Sequence, residues 1–318
     1  IDYLSSKADN HIISYGLGDW FDIGPKSPGE SQLTSNGVTA TAIYYYDVTL
    51  MEKMANLLGK PDDACKYQDL AAQIKQAFNQ TFWNPSTRTY DRNSQAANAV
   101  ALYMELTTSE NRQQVFDNLI ADIRRRNNAL TAGDVGYRYV LRALEAGGAS
   151  DVIYDMNCKY DTPGYGWQLA HGATALTESW QAYGFVSNNH FMLGHLMEWL
   201  FSGLGGIRQK EDSFGFKHIV IKPEPVGDVR DAQVSYKSPY GQIVSDWKDN
   251  DKEFIIRVEV PANSKASIYL PAADTKQITE SGVRLEDVPE INCKQEGNRY
   301  VVATTGSGIY TFKVKKNK

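Results

Sequence analysis

Apolar residues between positions 33 and 204 recur every three or four residues, the spacing that lines one face of a helix. Thr39 to Leu58 reads as one long helix, with Ile43, Val48, Met51, Met54, Leu57 and Leu58 on its apolar face and Gly59 at its end. Pro61, followed by Asp62 and Asp63, opens a second helix that carries Leu70, Ile74, Ala77 and Phe78 inward and runs to about Phe82. The same spacing predicts helices over Ala96–Leu106, Ser109–Asn127, Gly136–Ala146, Ser150–Asn157, Thr174–Tyr183 and Asn188–Leu204. Thr108 suits the N-cap of the fourth of these eight. Links this short are those of antiparallel helical hairpins.

Near Gly205-Gly206 the period changes to two. Phe216–Ile221, Glu253–Val260, Ala266–Leu270, Arg299–Thr304 and Gly308–Val314 are short β-branched or aromatic runs. Turn residues separate them: Pro239-Tyr240-Gly241, Asp249-Asn250-Asp251, Pro261-Ala262-Asn263, Glu296-Gly297-Asn298 and Thr305 to Gly308. We therefore expect a helical domain over residues 1–206 and an all-β antiparallel sandwich over 207–318.

Composition narrows the function. Lys and Arg total 33 against 38 Asp and Glu, a formal charge of −5 with no basic stripe, so nucleic acid is not an expected partner. No apolar run approaches membrane-span length, and the longest, Phe191–Leu204, is interrupted by Gly194, His195 and Glu198. The three cysteines, Cys65, Cys158 and Cys293, are too scattered for a disulfide framework or a metal site, and no phosphate- or dinucleotide-binding motif occurs, so neither metal nor cofactor is expected. The 19 Tyr and 6 Trp point to carbohydrate, whose C–H faces stack on rings, or to structural packing.

Four clusters could carry chemistry. In Tyr15-Gly16-Leu17-Gly18-Asp19-Trp20, a carboxylate beside an indole on a glycine-rich loop can grip a sugar hydroxyl while the ring covers an apolar face; a turn-capping Asp with a packed Trp is the alternative. Gly164-Tyr165-Gly166-Trp167 leads into His171-Gly172-Ala173-Thr174 and Glu178-Ser179-Trp180, where aromatic neighbours can bring Glu178 near its working pH as a base, unless it is an ordinary surface residue of a helix. Ser187-Asn188-Asn189-His190 sits at the cap of the following helix, where a helical hairpin can bring His190 beside Glu178; a histidine satisfied locally at the cap is the alternative. Trp83, at a helix exit, is either a cleft wall or a core plug. An acid–base pair needs two carboxylates. Glu178 is well framed, with Asp19 and Asp134 next.

Taken together and in order, Gly18-Asp19-Trp20, Thr131 to Tyr137, Gly172-Ala173-Thr174 with Glu178-Ser179-Trp180, Asn189-His190, Gly215-Phe216-Lys217-His218 and Ser238-Pro239-Tyr240-Gly241 resemble bacterial α-L-rhamnosidases of glycoside hydrolase family 78. The resemblance extends from about residue 12 to 270. It implies a catalytic (α/α)6 barrel followed by a C-terminal β-sandwich, and hydrolysis of terminal α-L-rhamnose with inversion by two Glu residues. The family's general base maps onto Glu178, although Thr177 stands where the family usually has Trp. Trp20 and His190 fall at positions lining the sugar subsite, Asp19 accompanies Trp20, and Trp83 and Tyr165 are the further candidates for substrate contact. Pro163-Gly164-Tyr165-Gly166-Trp167 exchanges the aromatics of the family's Pro-Ser-Trp-Gly-Tyr.

The family's general acid belongs to an Asp/Glu/Arg-rich motif ending in Gly-Trp, upstream of the Gly-Asp-Trp segment, and nothing like it precedes residue 12. Eight predicted helices also fall short of a six-hairpin barrel, and residues 1–32 carry neither an initiator Met nor a signal peptide. The chain thus reads as the C-terminal part of a longer enzyme, its barrel incomplete at the N-terminus, inactive or poorly soluble without the upstream part. The implied partner is a rhamnose-containing glycoside or plant polysaccharide, and the implied location periplasmic or secreted, with the cytoplasm the alternative. A non-catalytic carbohydrate-binding protein, and a barrel hydrolase or lyase for another sugar, are the competing readings.

Overall fold

The computed structural model describes residues 1–316, which separate after Leu196 into a helical unit and a β unit. The helical unit contains α1 (Asp2–Lys7), α2 (Asn36–Leu57), α3 (Pro61–Phe82), α4 (Gln95–Tyr103), α5 (Ser109–Arg125), α6 (Gly136–Ala146), α7 (Ser150–Asn157) and α8 (Tyr165–Ala170). α2 and α3 form an antiparallel hairpin around Tyr44, Val48, Ala71 and Ile74, with Ile13 of the preceding loop in the same core. Gly37 allows the start of α2 to meet the end of α3, because a Cβ there would lie 2.9 Å from the Phe82 ring. Between α3 and α4 the chain makes a tight hairpin of β1 (Trp83–Asn84) and β2 (Thr89–Tyr90).

α4 is the centre of the unit. Every residue from Gln95 to Leu102 is buried, four of them alanines, which lets α5 and α6 pack closely on it. Its N-cap is Ser94, whose hydroxyl accepts from the Ala97 amide at 3.0 Å. Buried Gln95 spends its polar atoms outside the helix. Its Nε2 donates to Ala129 O at 3.1 Å, and its Oε1 accepts from Thr131 N at 2.9 Å, fixing the start of the loop that precedes α6.

Two predicted helices are absent. Thr174–Tyr183 is irregular: the Thr177 hydroxyl donates to Ser179 O at 2.6 Å, and the Ser179 hydroxyl accepts from Gln181 N at 3.2 Å. Such local bonds offer the backbone an alternative to the helix. Asn188–Leu204 is broken into a 3-10 turn (Phe191–Leu193), a single α turn (Leu196–Trp199) and a π turn (Leu200–Leu204), with Gly194 as the first interruption. α1 and α8 form without a strong apolar period, and sequence periodicity passes over both.

The β unit is two facing sheets. β3 (Ile207–Gln209), β4 (His218–Ile221), β8 (Lys265–Leu270), β11 (Asn292–Glu296) and β12 (Tyr300–Thr305) form one, in the order β11-β12-β8-β4-β3. β5 (Asp231–Ser238), β6 (Gly241–Asp249), β7 (Glu253–Val260), β9 (Ile278–Glu280), β10 (Val283–Arg284) and β13 (Gly308–Lys315) form the other, in the order β10-β9-β13-β7-β6-β5. Alternation places Ile219, Ile221, Ala266, Ile268 and Leu270 of the first sheet against Trp247, Phe254, Ile256, Val258 and Phe312 of the second. All pairings are antiparallel except β4 with β8, which run parallel, His218 beside Lys265. Pro239-Tyr240-Gly241 makes the predicted turn, but β5 itself, with a mostly exposed face, carries too few apolar residues to stand out. Among the described residues, no helix is long and apolar enough to cross a membrane.

Candidate active site

Three irregular segments of the helical unit converge, and one buried carboxylate stitches the first two together. Asp19 is fully buried, and its two oxygens accept from the Gly133 amide at 2.9 Å and the Gly136 amide at 2.6 Å. The backbone completes the seam, with Asp134 N donating to Trp20 O at 2.8 Å and Ile23 N to Thr131 O at 2.9 Å. A Cβ on Gly133 would lie 2.1 Å from Trp20 O, so this approach is open to glycine alone. Asp22 does similar work one turn on, accepting from Gln32 N at 2.9 Å and Leu33 N at 2.7 Å to shape the loop that follows Trp20.

The third segment carries Glu178 and His190. Its backbone closes on itself as an irregular loop, with Glu178 N donating to Ser187 O at 2.9 Å and His190 N to Leu176 O at 2.8 Å. The two residues are therefore neighbours across a loop, not across the helical hairpin expected from the sequence. Trp180, fully buried, anchors this segment by donating from its indole to Ala132 O at 2.9 Å. A small polar cleft of about 250 Å³, lined in part by Gly172, Thr174, Thr177 and Asn188, opens on the same loop.

At the junction the Trp20 indole donates to Glu178 Oε1 at 3.0 Å, and Ser187 N donates to Oε2 at 3.2 Å. The bond from Trp20 holds the Glu178 carboxyl below its ordinary range, with the Ser187 amide and the charge of His190 adding to the effect against partial burial. This reverses the expectation that aromatic neighbours would raise it: the indole acts on Glu178 through its N–H rather than its apolar face. His190 Nε2 lies 3.0 Å from Asp134 Oδ2. Burial pushes Asp134 up to about 6, with Glu178 adding to the rise and His190 opposing it. Asp19 is pushed up to about 7 by burial, although the two glycine amides pull the other way.

Trp20, Glu178, Asp19 and His190 are thus brought together, and Asp134 joins them as the partner of His190. Tyr165 stands behind the group. Its ring meets Trp180 edge-on at 5.1 Å and Tyr137 at 6.1 Å, and its hydroxyl donates to Leu193 O. Trp83 packs at 5.1 Å on Tyr90, which in turn packs on Phe78, and these contacts do not lead to Glu178. Sequence reading gave Asp134 only third rank among carboxylates, and its pairing with His190 had no signal beyond the shared motif. Among the described residues, no group of His, Cys, Asp or Glu is placed to hold a metal ion.

The raised carboxyls set a pH dependence of stability. A folded-state pKa above the unfolded value means the native state binds more protons, so stability falls as pH rises between the two values. For Asp19 and Asp134 that window runs from about 3.8 up to about 6 to 7. Asp22, also raised by burial, acts in the same direction; the lowered carboxyls, Glu178, Asp161 and Asp274, act below about pH 4.5, and His218, lowered by burial, opposes the fall without outweighing three carboxyls. Thermal unfolding followed by circular dichroism is expected to give a lower Tm at pH 8 than at pH 5; a Tm that rises over this interval contradicts the assignment.

The profile for the bacterial alpha-L-rhamnosidase 6 hairpin glycosidase domain matches residues 1–204, and that for the bacterial alpha-L-rhamnosidase C-terminal domain matches residues 206–284. An alpha-L-rhamnosidase of Streptomyces avermitilis is 29% identical over 98% of this chain and 29% of its own length. One from Formosa agariphila is 24% identical over 96% of this chain and 34% of its own. The crystal structure of Streptomyces avermitilis alpha-L-rhamnosidase complexed with L-rhamnose superposes with a TM-score of 0.86 at 26% identity, covering 99% of this chain and 30% of that one. The alpha-L-rhamnosidase from Dictyoglumus thermophilum gives a TM-score of 0.89 at 30% identity, covering 99% and 36%. The chain therefore spans about a third of the length of these relatives. With profiles matched in order over both its helical and its β parts, this chain belongs to the bacterial alpha-L-rhamnosidase family.

Proposed function

We propose that residues 1–318 carry the water-activating half of an inverting glycoside hydrolase that releases terminal α-L-rhamnose from glycosides or plant polysaccharides. Glu178 is the general base, and the observation that carries this reading is its environment. Two N–H donors, the Trp20 indole first, hold its carboxyl below the ordinary range and so favour the ionised form, at the point where three loops meet. A base must be charged before it can take a proton from water. Trp20 orients that carboxylate, Asp19 holds the loop beneath it, and His190 faces the sugar with its ring fixed by Asp134.

Inversion requires a second carboxyl about 6.5–9.5 Å from the base, leaving room for the attacking water. In the intact enzyme we assign that general acid to a segment outside residues 1–318, which also completes the (α/α)6 barrel. A periplasmic or secreted enzyme suits polymeric substrates of this kind.

The test is stereochemical. Incubating the intact enzyme with an aryl α-L-rhamnoside in an NMR tube is expected to show β-L-rhamnose first, followed by mutarotation. Initial α-product overturns inversion, whereas rhamnose binding without any turnover favours a lectin-like protein.

A further inference from the structure

The β unit carries a second concentration of chemistry that hydrolysis does not use. The strand register places Lys265 of β8 beside His218 of β4, and on the other side Lys210 N, just past the end of β3, donates to His218 O at 3.0 Å. Inward positions of these strands are Ile219, Ile221, Ala266 and Ile268, so His218 and its two lysine neighbours share the outer face. Lys217 follows in the same cluster, its carbonyl accepting from Lys265 N at 3.0 Å. Like charges in adjacent cross-strand positions repel. Their effect is seen on His218: burial lowers its pKa first, and Lys210 and Lys265 lower it further. Among the described residues no carboxylate comes within ion-pair distance of Lys210, Lys217 or Lys265, although Glu211 and Asp212 occupy the intervening turn.

These groups line a cleft of about 600 Å³ with Phe214 and Tyr240. Phe214 is 77% exposed and Tyr240 38% exposed. Gly215 holds the loop close to the Pro239-Tyr240 turn, since a Cβ there would lie 3.4 Å from the proline ring and 3.6 Å from the tyrosine ring. Unneutralised ammonium groups call for an anion, and an exposed ring beside them calls for an apolar face; a sugar acid offers both on one molecule.

We propose that this end of the sandwich is a second carbohydrate site that takes a carboxylate-bearing sugar unit, the lysines meeting its carboxylate and Phe214 and Tyr240 its C–H face. Such a site would hold an acidic polysaccharide to the enzyme independently of Glu178, and it does not depend on the assignment of the hydrolytic site.

The experiment is a titration of the intact enzyme, labelled at histidine, with trigalacturonate, read from the imidazole signals of His218 by NMR, beside the same trisaccharide as its methyl ester and sodium sulfate alone. The acid is expected to shift His218 and to bind at least about tenfold more tightly than the ester, a difference that added salt erodes. Lys210→Ala with Lys265→Ala should weaken it about tenfold or more, as should Phe214→Ala, while Glu211→Gln with Asp212→Asn should strengthen it. Amide spectra of the variants report that the sandwich is intact, and Glu178→Gln should leave the binding unchanged. Equal binding of the ester, an unmoved His218, or indifference to the lysine changes overturns the proposal. Sulfate competing as well as the trisaccharide reduces the site to a simple anion site and overturns the sugar part.

Discussion

Glu178→Gln in the intact enzyme is expected to lower kcat by about 10²–10⁴-fold, the usual contribution of a positioned acid or base. The substitution keeps the shape of the side chain and one carbonyl oxygen, which can keep the bond from Trp20, while the exposed Ser187 amide gives up its acceptor to water. KM and the circular dichroism spectrum should therefore hold while turnover collapses. A companion change separates charge from position. Trp20→Phe removes the indole N–H, the largest influence lowering the Glu178 pKa, and should move the acidic limb of the kcat/KM profile to higher pH. Turnover within a factor of a few of wild type in Glu178→Gln, or a limb that stays in place in Trp20→Phe, would remove Glu178 from the role of base.

Asp19→Ala should produce the largest loss of stability in the helical unit. It leaves the Gly133 and Gly136 amides buried and without an acceptor, at about 1–3 kcal/mol each. A loss of about 2–6 kcal/mol is a large share of the roughly 5–15 kcal/mol that holds a typical domain together. Gly133→Ala attacks the same seam from the opposite side by forcing a methyl group against Trp20 O, and the loops must part to admit it. Chemical denaturation of both variants checks this, and a midpoint unchanged in either would show that the two loops are not held together as described. The outcome bears on catalysis as well, because Trp20 is carried by one of these loops and Asp134 by the other. A partial separation would loosen Glu178 and His190 together, so residual activity in Asp19→Ala should fall even where the variant still folds.

Regular elements were legible in the chain because their signal is local. Apolar spacing delimits α3, with Pro61 at its first turn, and α6 and α7, and alternation delimits β7. The candidate residues were legible for another reason: glycines, aromatics and carboxylates crowded into short segments mark places where backbone and ring chemistry meet. Local pattern failed at 174–183 and 188–204, where the apolar spacing suits a helix but Ser179, Thr177 and Gly194 spend or interrupt the backbone bonds a helix needs. It also kept Trp83 and Tyr165 beside Trp20 as candidates for substrate contact, whereas in the fold one packs on Tyr90, one stands behind Trp180 and one donates to Glu178.

The sequence by itself determined a helical part followed by a sandwich and the family, and it narrowed the candidate side chains to a few short segments, since each depends on residue type and short-range period. Only the tertiary structure decided that Asp19 works as a buried clamp, that Asp134 is the partner of His190, and that Glu178 is lowered rather than raised. Those properties arise from contacts between residues 56 to 158 positions apart, and burial, hydrogen bonding and charge act through space without regard to that separation.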